Sequence, residues 1–491
     1  MKVLFVNPAV GYYTRAISNP LGLMALASYI RKKGHDVRLL DRCVKKINLV
    51  KEIDDFAPDA IGISLMSGRG LKDCGKISEI AKKKNIPVIA GGYFPTMSPE
   101  LILGEGLADF VVLREGELSF EELILALRDK KPTENIKGIA YKKDGKVYIT
   151  EDRPFADLSL FPEIDWTLVR PEDYFQTFFN CTKMLYLYSS KGCPGRCTFC
   201  SNHFYNRSCF RKRPDETVLS EIRYLVENHG MNGVYFSGEL WNLTKADARS
   251  FCERVKEEKL KFTWGMLSKV GQYDYDDFAA FYDAGCRFIC FGVESGNAEM
   301  QKKLKKNVNL EKGRETFSSC KKIGITSVVS FMIGLPDETE EQLKDTLSYI
   351  KSIDATINLI YLFTPVENTD IHNELVSSGK IKKSFDGLSF YKKYITMENP
   401  GYNFSHIPTK ELKVIKAYFD WKSFSGKESV NGSYSYAFAV QTIVNGLKAI
   451  SKKGVISFVF DAFRALKTFL GVFYYSHMFP AILKKYELKQ R

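Results

Sequence analysis

The sequence is short of several things, and each shortage narrows what the chain can be. No uncharged apolar run in its 491 residues reaches the ~20 needed to cross a bilayer. The opening MKVLFVNPAV lacks the basic head, long apolar stretch and small-residue cleavage site of a signal peptide, so a cytoplasmic protein is expected. No G-x-G-x-x-G follows the first strand and no G-x-x-x-x-G-K-[ST] occurs anywhere, which leaves dinucleotide and P-loop functions unsupported. Histidine is scarce, with 6 in all, and His35 is alone in the first 200 residues. No repeat or low-complexity segment is evident. The 11 cysteines are odd in number and scattered, which is not a disulfide framework. Cys74, Cys252, Cys286, Cys290 and Cys320 lie in apolar helix or strand patterns and fit as small buried hydrophobes.

What is present is enough for several domains, since 491 residues exceed what one core organises. The net charge of +13 is uneven: residues 405–491 hold 12 Lys and 2 Arg against 5 acids, a net of +9. The basic character belongs to the tail.

Over the first 130 residues, short apolar strands alternate with amphipathic helices. KVLFVN (2–7) is followed by a helix ending at Gly34, a strand from Val37 to Asp41, then AIGISLMS (60–67), IPVIAGG (86–92) and DFVVL (109–113). This alternation predicts a doubly wound parallel sheet, whose ligands bind at the carboxyl ends of strands. Those ends carry Ser64-Leu65-Met66-Ser67, Gly91-Gly92-Tyr93 and Arg114-Glu115-Gly116-Glu117. Such loops often contain Gly and Ser only to turn, so each alone is a weak signal. From 132 to 180, IKGIAYKKDGKVYITED reads as a hairpin turning at Asp144-Gly145, and LSLFPEIDW as an extended linker.

With NPLGLMALASYIRKKGHDV, GGYFPT (91–96) and REGELSFEELILAL (114–127), residues 1–131 resemble the cobalamin-binding (B12-binding) domain, Rossmann-like, that precedes many radical S-adenosylmethionine (SAM) enzymes. The resemblance implies cobalamin contacts from Ser64 and Met66 on one loop and Gly91 and Gly92 on the other. The Asp-x-His-x-x-Gly segment of some such domains, whose His replaces the nucleotide base beneath cobalt, is absent, so cobalamin is expected without a protein His ligand.

KGCPGRCTFC (191–200) places Cys193, Cys197 and Cys200 at the end of the strand MLYLYSSKG (184–192). Pro194 and Gly195 bend the chain so that three sulfurs converge, and thiolates suit zinc or iron–sulfur clusters. Zinc would need His203 as a fourth ligand, all from one strained eleven-residue loop. A [4Fe–4S] cluster on three thiolates leaves one iron open, which is useful chemistry and the preferred reading. Downstream, GVYFSGE (233–239), KFTWGM (261–266), RFICFGVES (287–295), SVVSFMIGLPDET (327–339) and INLIYLFTP (357–365) alternate with helices. Six parallel strands predict a partial (β/α)6 TIM-like barrel, with active groups at the carboxyl ends.

This region, 181–400, resembles the radical SAM superfamily in its Cys-x3-Cys-x2-Cys spacing with Phe199 before the third Cys. Ser237-Gly238-Glu239 stands where the family contacts the amino group of the methionine moiety, and Glu294-Ser295 matches its ribose- and carboxylate-contacting strand end. Gly334 and its neighbours match the adenine segment. Ser237 in place of a first glycine, and Trp241 beyond, are departures. The pattern is chemically coherent: an acid answers an ammonium, a hydroxyl or carboxylate takes a ribose, and Gly admits the flat adenine. A lone strand-end Glu is more often a solvated or capping residue.

The tail, 401–491, is read as a basic helical region. Residues 452–479 form a helix apolar nearly all round, best explained by packing, with membrane-surface contact or a lid over an apolar substrate as the lesser readings. No nucleic-acid motif accompanies the charge. The resemblance as a whole implies an enzyme that generates a 5′-deoxyadenosyl radical and, with cobalamin, transfers methyl to an unactivated carbon of a small-molecule substrate. It implies an external electron donor of flavodoxin or ferredoxin type. The alternatives are a radical cyclase or C–C bond-forming enzyme on a porphyrin-like or lipid substrate, and a non-enzymatic zinc-stabilised cobalamin-sensing scaffold.

Overall fold

The computed structural model describes residues 1–10, 18–178, 181–381, 402–425, 470–471, 473–475 and 478–488. They form two compact units: the first is essentially Met1–Tyr174, and the second is built from Phe175–Asp215, Ile222–Glu374 and the described residues from 402 onward.

In the first unit, β1 (Lys2–Asn7), α1 (Leu21–Lys32), β2 (Asp36–Asp41), α2 (Leu49–Phe56), β3 (Ala60–Ser64), α3 (Leu71–Lys83), β4 (Val88–Gly91), β5 (Phe110–Val112) and α4 (Glu117–Arg128) follow one another. The sheet order is β2-β1-β3-β4-β5, all parallel. Val3, Leu4, Phe5 and Val6 of β1 are all buried, as a strand covered on both faces requires. The order reverses at β1, so the crevice for a ligand opens beyond the carboxyl ends of β1 and β3. The expected hairpin, β6 (Ile139–Lys143) and β7 (Lys146–Ile149), turns on Asp144 (φ 50°) and Gly145 (φ 78°) and pairs antiparallel onto β5, extending the same sheet.

The stretch LSLFPEIDW differs from the extended linker expected. It forms 3-10 turns at Leu158–Leu160 and Trp166–Leu168, capped by the side chains of Asp157 and Asp165. Leu158, Ile164 and Trp166 are buried. Two polar ties fix it, Arg31 Nη1 donating to Asp165 Oδ2 at 2.7 Å and the Asp165 N–H donating to Ser28 Oγ at 2.8 Å; just beyond it the Tyr174 hydroxyl donates to Asp41 Oδ2 at 2.9 Å. Apolar residues at irregular spacing carry no periodic signal, which is why the sequence reads as linker.

The second unit is a seven-stranded sheet. β8 (Gln176–Phe178) lies antiparallel at the edge, then β9 (Cys181–Leu187), β10 (Gly233–Phe236), β11 (Thr263–Ser268), β12 (Cys286–Glu294), β13 (Thr326–Ile333) and β14 (Ile357–Leu362) run parallel in chain order. The six expected strands are these six, each connected to the next through helix, and sheet and helices together make the curled partial barrel. Side chains alternate across the sheet. Phe236 and Trp264 face the helices, where Trp241 and Trp264 centroids lie 4.9 Å apart and Phe251 and Phe281 close the cluster. Tyr186, Tyr235 and Phe288 line the other face, 5.4 and 5.5 Å apart in succession. Gly265 has no side chain there because its Cβ would stand 2.2 Å from the Phe288 ring.

Helical character in the C-terminal region is present at Thr409–Ser425 and Pro480–Lys485. Most of the helix expected over 452–479 lies outside the described residues. Among those described, no helix is long and apolar enough to cross a membrane.

Tyr174→Phe removes one hydrogen-bond donor from the buried Asp41 carboxylate, which also accepts from the Asn7 amide and the Cys43 and Val44 N–H groups. We expect it to destabilise the first unit by about 1–3 kcal/mol in urea unfolding. An unchanged midpoint would show that the connector docks without this bond.

Candidate active site: the cysteine loop and the strand ends beside it

The loop that holds the three cysteines is closed at its base. Ser190–Lys191 pairs antiparallel with Arg211–Lys212 just beyond β9. Gly192 turns into the loop at φ 84°, and a Cβ there would meet the Cys209 carbonyl oxygen at 1.9 Å. No other residue fits. Inside the loop, the Cys193, Cys197 and Cys200 thiols are half-buried. The Gly195 N–H points at Cys193 Sγ at 3.4 Å and the Asn202 N–H at Cys200 Sγ at 3.5 Å. The missing Cβ of Gly195 would lie 3.3 Å from Cys193 Sγ and 3.9 Å from Cys197 Sγ, so glycine leaves the sulfur side of the loop clear. The Asn202 amide donates to the Cys193 carbonyl at 2.6 Å.

Burial pushes the Cys200 thiol up to about 11 and the Cys197 thiol upward. Without metal these two are neutral at pH 7, and metal binding expels their protons. N–H groups aimed at sulfur, three thiols and, among the described residues, no fourth protein ligand fit an iron–sulfur cluster. They do not fit a single zinc ion. His203 Nε2 is 3.4 Å from Asp370 Oδ1, and among the described residues no three His, Cys, Asp or Glu side chains converge on one metal position.

Of the SAM-contact candidates, Glu239 is the one joined directly to this loop. Its carboxylate accepts from the Gly192 N–H at 2.9 Å (Oε2) and from the Asn206 amide at 2.9 Å (Oε1), yet the residue stays exposed. Two donors leave further lone pairs for an ammonium. Asn206 donates also to Asn202 Oδ1, linking Glu239 through two amides to Cys193. Ser237 is tied to β9 by its N–H to the Leu187 carbonyl at 2.8 Å, and Gly238 passes close to Ser190, 3.3 Å from its carbonyl for a Cβ. The Ser190 hydroxyl donates to the Leu240 carbonyl at 2.6 Å.

At the end of β12, Glu294 is 8% exposed and adopts φ 71°, with a register shift between Gly292 and Glu294. Lys306 Nζ donates to its Oε1 at 3.1 Å. Burial pulls the Lys306 ammonium down, but Glu294 and the Cys197 and Cys200 sulfurs outweigh that and hold it above its ordinary value. Ser295 is turned elsewhere: its buried hydroxyl is shared with Thr346 Oγ1 at 3.1 Å and accepts from the Asn297 N–H. Gly334, at the end of β13, has φ 76°. Its N–H donates to Glu338 Oε2 at 2.7 Å, and the Leu335 N–H to the same oxygen at 3.3 Å. Glu338 is fully buried, and burial raises its carboxyl to about 7 despite these two donors.

Sequence reasoning missed Asn202, Asn206, Lys306 and Glu338. Asn202 and Asn206 are spaced i, i+4, a helical neighbour spacing that could have flagged them; Lys306 carries no such mark.

In the first unit, Ser64 pairs with Gly91 at the ends of β3 and β4, and the Leu65 N–H donates to the Gly91 carbonyl at 3.0 Å. Gly92 has φ 90°, and a Cβ there would stand 2.9 Å from Ser64 Oγ and 3.2 Å from the Leu65 carbonyl. Glycine thus keeps the two loops adjoining, and Met66 is 75% exposed beside them. Adjoining backbone loops at the carboxyl ends of β3 and β4, with an apolar side chain offered outward, fit a large planar cofactor. Arg114, Glu115 and Glu117 line a small cleft with Arg153 and Phe161.

A doubly wound sheet ahead of a partial barrel with a three-cysteine loop defines a class of cofactor-dependent radical enzyme. Family models agree with that order: the B12 binding domain matches residues 10–124 and the Radical SAM superfamily matches residues 187–350. The chain belongs to the radical SAM enzymes that carry an N-terminal cobalamin-binding domain, whose cofactors are a [4Fe–4S] cluster, SAM and cobalamin. It is 28% identical to an uncharacterized methyltransferase of Pyrococcus horikoshii, over 86% of this chain and 92% of that one. It is 26% identical to the anaerobic magnesium-protoporphyrin IX monomethyl ester cyclase of Rubrivivax gelatinosus, over 76% and 70%. Among solved structures, the radical SAM methyltransferase TsrM of Kitasatospora setae, with cobalamin and a [4Fe–4S] cluster bound, superposes with a TM-score of 0.65 at 16% identity, covering 77% and 75%.

Gly192→Ala is expected to open the base of the loop and reduce iron incorporation on anaerobic reconstitution by at least about half, read as iron per chain and visible absorbance. Full iron content in a folded variant would contradict the steric reading. Glu338 has its own pH signature. Its folded value near 7 exceeds the ordinary value of 4.5, so its contribution is full below about pH 4.5 and is lost as pH rises through 7. Relative to Glu338→Gln, wild type should lose up to about 3 kcal/mol across that window. Parallel stability curves for the two proteins would count against it.

Proposed function

We propose that this chain is a cobalamin-dependent radical SAM methyltransferase acting on an unactivated carbon. The observation that carries the reading is the loop of three thiols with no fourth ligand among the described residues, held by a strand-end carboxylate, Glu239, that keeps lone pairs in reserve. In this reading Cys193, Cys197 and Cys200 hold the cluster. Glu239 takes the ammonium of SAM, and Glu294 takes the ribose on lone pairs that Lys306 leaves open. The backbone at Gly334, kept in its left-handed turn by Glu338, flanks the adenine. Ser237, Gly238 and Ser295 shape these contacts through the backbone, since the Ser295 side chain is engaged by Thr346. Ser64, Met66, Gly91 and Gly92 receive cobalamin without a His ligand.

When bound, the three cofactors supply one-electron chemistry, a hydrogen-abstracting radical and a transferable methyl group; the protein supplies position and a shielded site. An external low-potential donor of flavodoxin or ferredoxin type provides the electron, and the substrate is a small molecule. Relatives named as methyltransferases support methyl transfer; the relatedness to a cyclase, at 26% identity, supports radical ring closure as the second reading.

The test is anaerobic. Reconstituted protein with SAM and dithionite is expected to form 5′-deoxyadenosine, and Cys193→Ala, Cys197→Ala and Cys200→Ala each to reduce it to background. No 5′-deoxyadenosine from a cluster-loaded protein would overturn the radical reading. A product heavier by methyl supports the methyltransferase; one that has only lost hydrogen supports the cyclase.

A further inference from the structure

The segment after the short helix that follows β12 is fastened on two sides. On one, the Thr198 N–H of the cysteine loop donates to the Leu304 carbonyl at 3.0 Å, and the Thr198 hydroxyl to the Lys303 carbonyl at 3.3 Å. On the other, the Gln301 amide donates to the Val293 carbonyl at 2.7 Å and to the Ser295 carbonyl at 2.5 Å. Gln301 Oε1 accepts from the Val308 N–H at 3.2 Å, and its carbonyl accepts from the Lys306 N–H at 3.2 Å. This clasp leaves Lys306 little freedom. Its ammonium lies 3.1 Å from Glu294 Oε1 and 5.8 Å from the centroid of Phe199, the residue just before Cys200. The side chain is only 20% exposed, and Glu294's is 10% exposed. Gly292 makes the pair possible: a Cβ there would stand 2.3 Å from Glu294 Oε1 and 2.9 Å from Lys306 Nζ.

A paired lysine at the surface has no need of a glycine notch or a glutamine clasp. Here the sequence and fold combine to hold one cation and one anion, weakly screened by solvent, beside the cysteine loop. We propose that Lys306 and Glu294 form a fixed charge pair that sets the reduction potential of the cluster, Lys306 raising it and Glu294 offsetting part of the rise. The inference rests on Cys193, Cys197 and Cys200 holding a [4Fe–4S] cluster. Reduction adds one electron from the external donor, with no proton transferred to either residue. The added negative charge is stabilised by a nearby ammonium and destabilised by a nearby carboxylate. Lys306 is thus a positioning residue of electrostatic kind, and it touches neither substrate nor reacting atoms.

The experiment is a redox titration of the anaerobically reconstituted full-length protein, followed by electron paramagnetic resonance, with iron and sulfide assayed and SAM omitted so that ribose contacts play no part. In Lys306→Met the ratio of reduced to oxidised cluster at a fixed potential should fall about tenfold, equivalent to about 59 mV downward for one electron. Glu294→Gln should shift in the opposite direction, Lys306→Arg should stay near wild type, and the double variant should return towards it. Residues serving only to support the fold would not displace the potential with opposite signs. Lys306→Met titrating at the wild-type potential with wild-type iron content would overturn the proposal, as would a downward shift in Glu294→Gln. Should Lys306→Met fail to retain a cluster, Glu294→Gln decides: an upward shift supports the charge pair, and no shift overturns it. Wild-type protein that takes up no iron refutes the cluster itself, a result distinguishable from all of these.

Discussion

One carboxylate ties the site together. Glu239 stands just beyond β10 and accepts at once from the backbone N–H at the entry to the cysteine loop and from a side-chain amide near its exit. A loop this rich in bends has little regular structure to fix it, and two of its N–H groups, at Gly195 and Asn202, point at sulfur. Without an anchor from a neighbouring strand its three thiols would have no common orientation. Glu239 supplies that anchor because parallel strands in sequence order bring the end of β10 beside the end of β9, where the loop begins. The carboxylate has capacity for more than two donors, so the same group can steady the empty loop and meet an ammonium. In the proposed function, structural and ligand-binding duties would fall to different lone pairs of this one side chain.

The second side of the loop is steadied differently. Thr198 is hydrogen-bonded to the backbone after β12, and Gln301 returns that backbone to the strand end. Glu294, strained into the left-handed region, is placed by this arrangement and by the register shift before it. Left-handed backbone at a non-glycine residue costs on the order of 1–3 kcal/mol and persists where the surroundings enforce it. At Glu294 what enforces it is visible: Lys306 on the carboxylate, the glycine beneath it, and Gln301 on the carbonyls either side. Glu338 repeats the theme at β13, where a buried carboxyl holds the N–H groups of Gly334 and Leu335. Two strand-end regions, after β10 and after β13, thus use an acid to fix backbone N–H groups, Glu239 at a position the sequence marks and Glu338 at one it does not.

Much of this was legible in advance because it depends on periodicity and short spacing. Strands of three to nine residues, most of them alternating with helices, give both sheets, and the three cysteines declare themselves by number and distance. Gly92 and Gly334 were singled out as strand-end glycines, and both adopt positive φ. What was not legible depends on contacts between residues distant in sequence. Nothing local in LSLFPEIDW announces that Asp165 meets Arg31 and Ser28, or that Tyr174 reaches Asp41, across more than 130 residues. Ser295 was read as a ligand contact from its place after Glu294, but whether its hydroxyl faces outward or meets Thr346 is a matter of the bulge, which no pattern of types reveals. Lys306 lies among other lysines and was indistinguishable from a solvated charge. His203 looked like a fourth ligand for the same reason in reverse: proximity in sequence stood in for a direction that the fold gives to Asp370.

The absence of a fourth ligand then takes on a physical meaning. Several polar side chains close to the loop are already engaged: Asn202 with the Cys193 carbonyl, Asn206 with Glu239, Thr198 with the 303–304 backbone and Lys306 with Glu294. These bonds hold potential protein donors away from the thiols, so the coordination that the loop withholds is reserved for something that arrives from outside. Two carboxylates with spare lone pairs flank it, at strand ends two places apart in the sheet. A cation-bearing, hydroxyl-bearing cofactor is the complement of that arrangement, and a fourth protein ligand would have closed it.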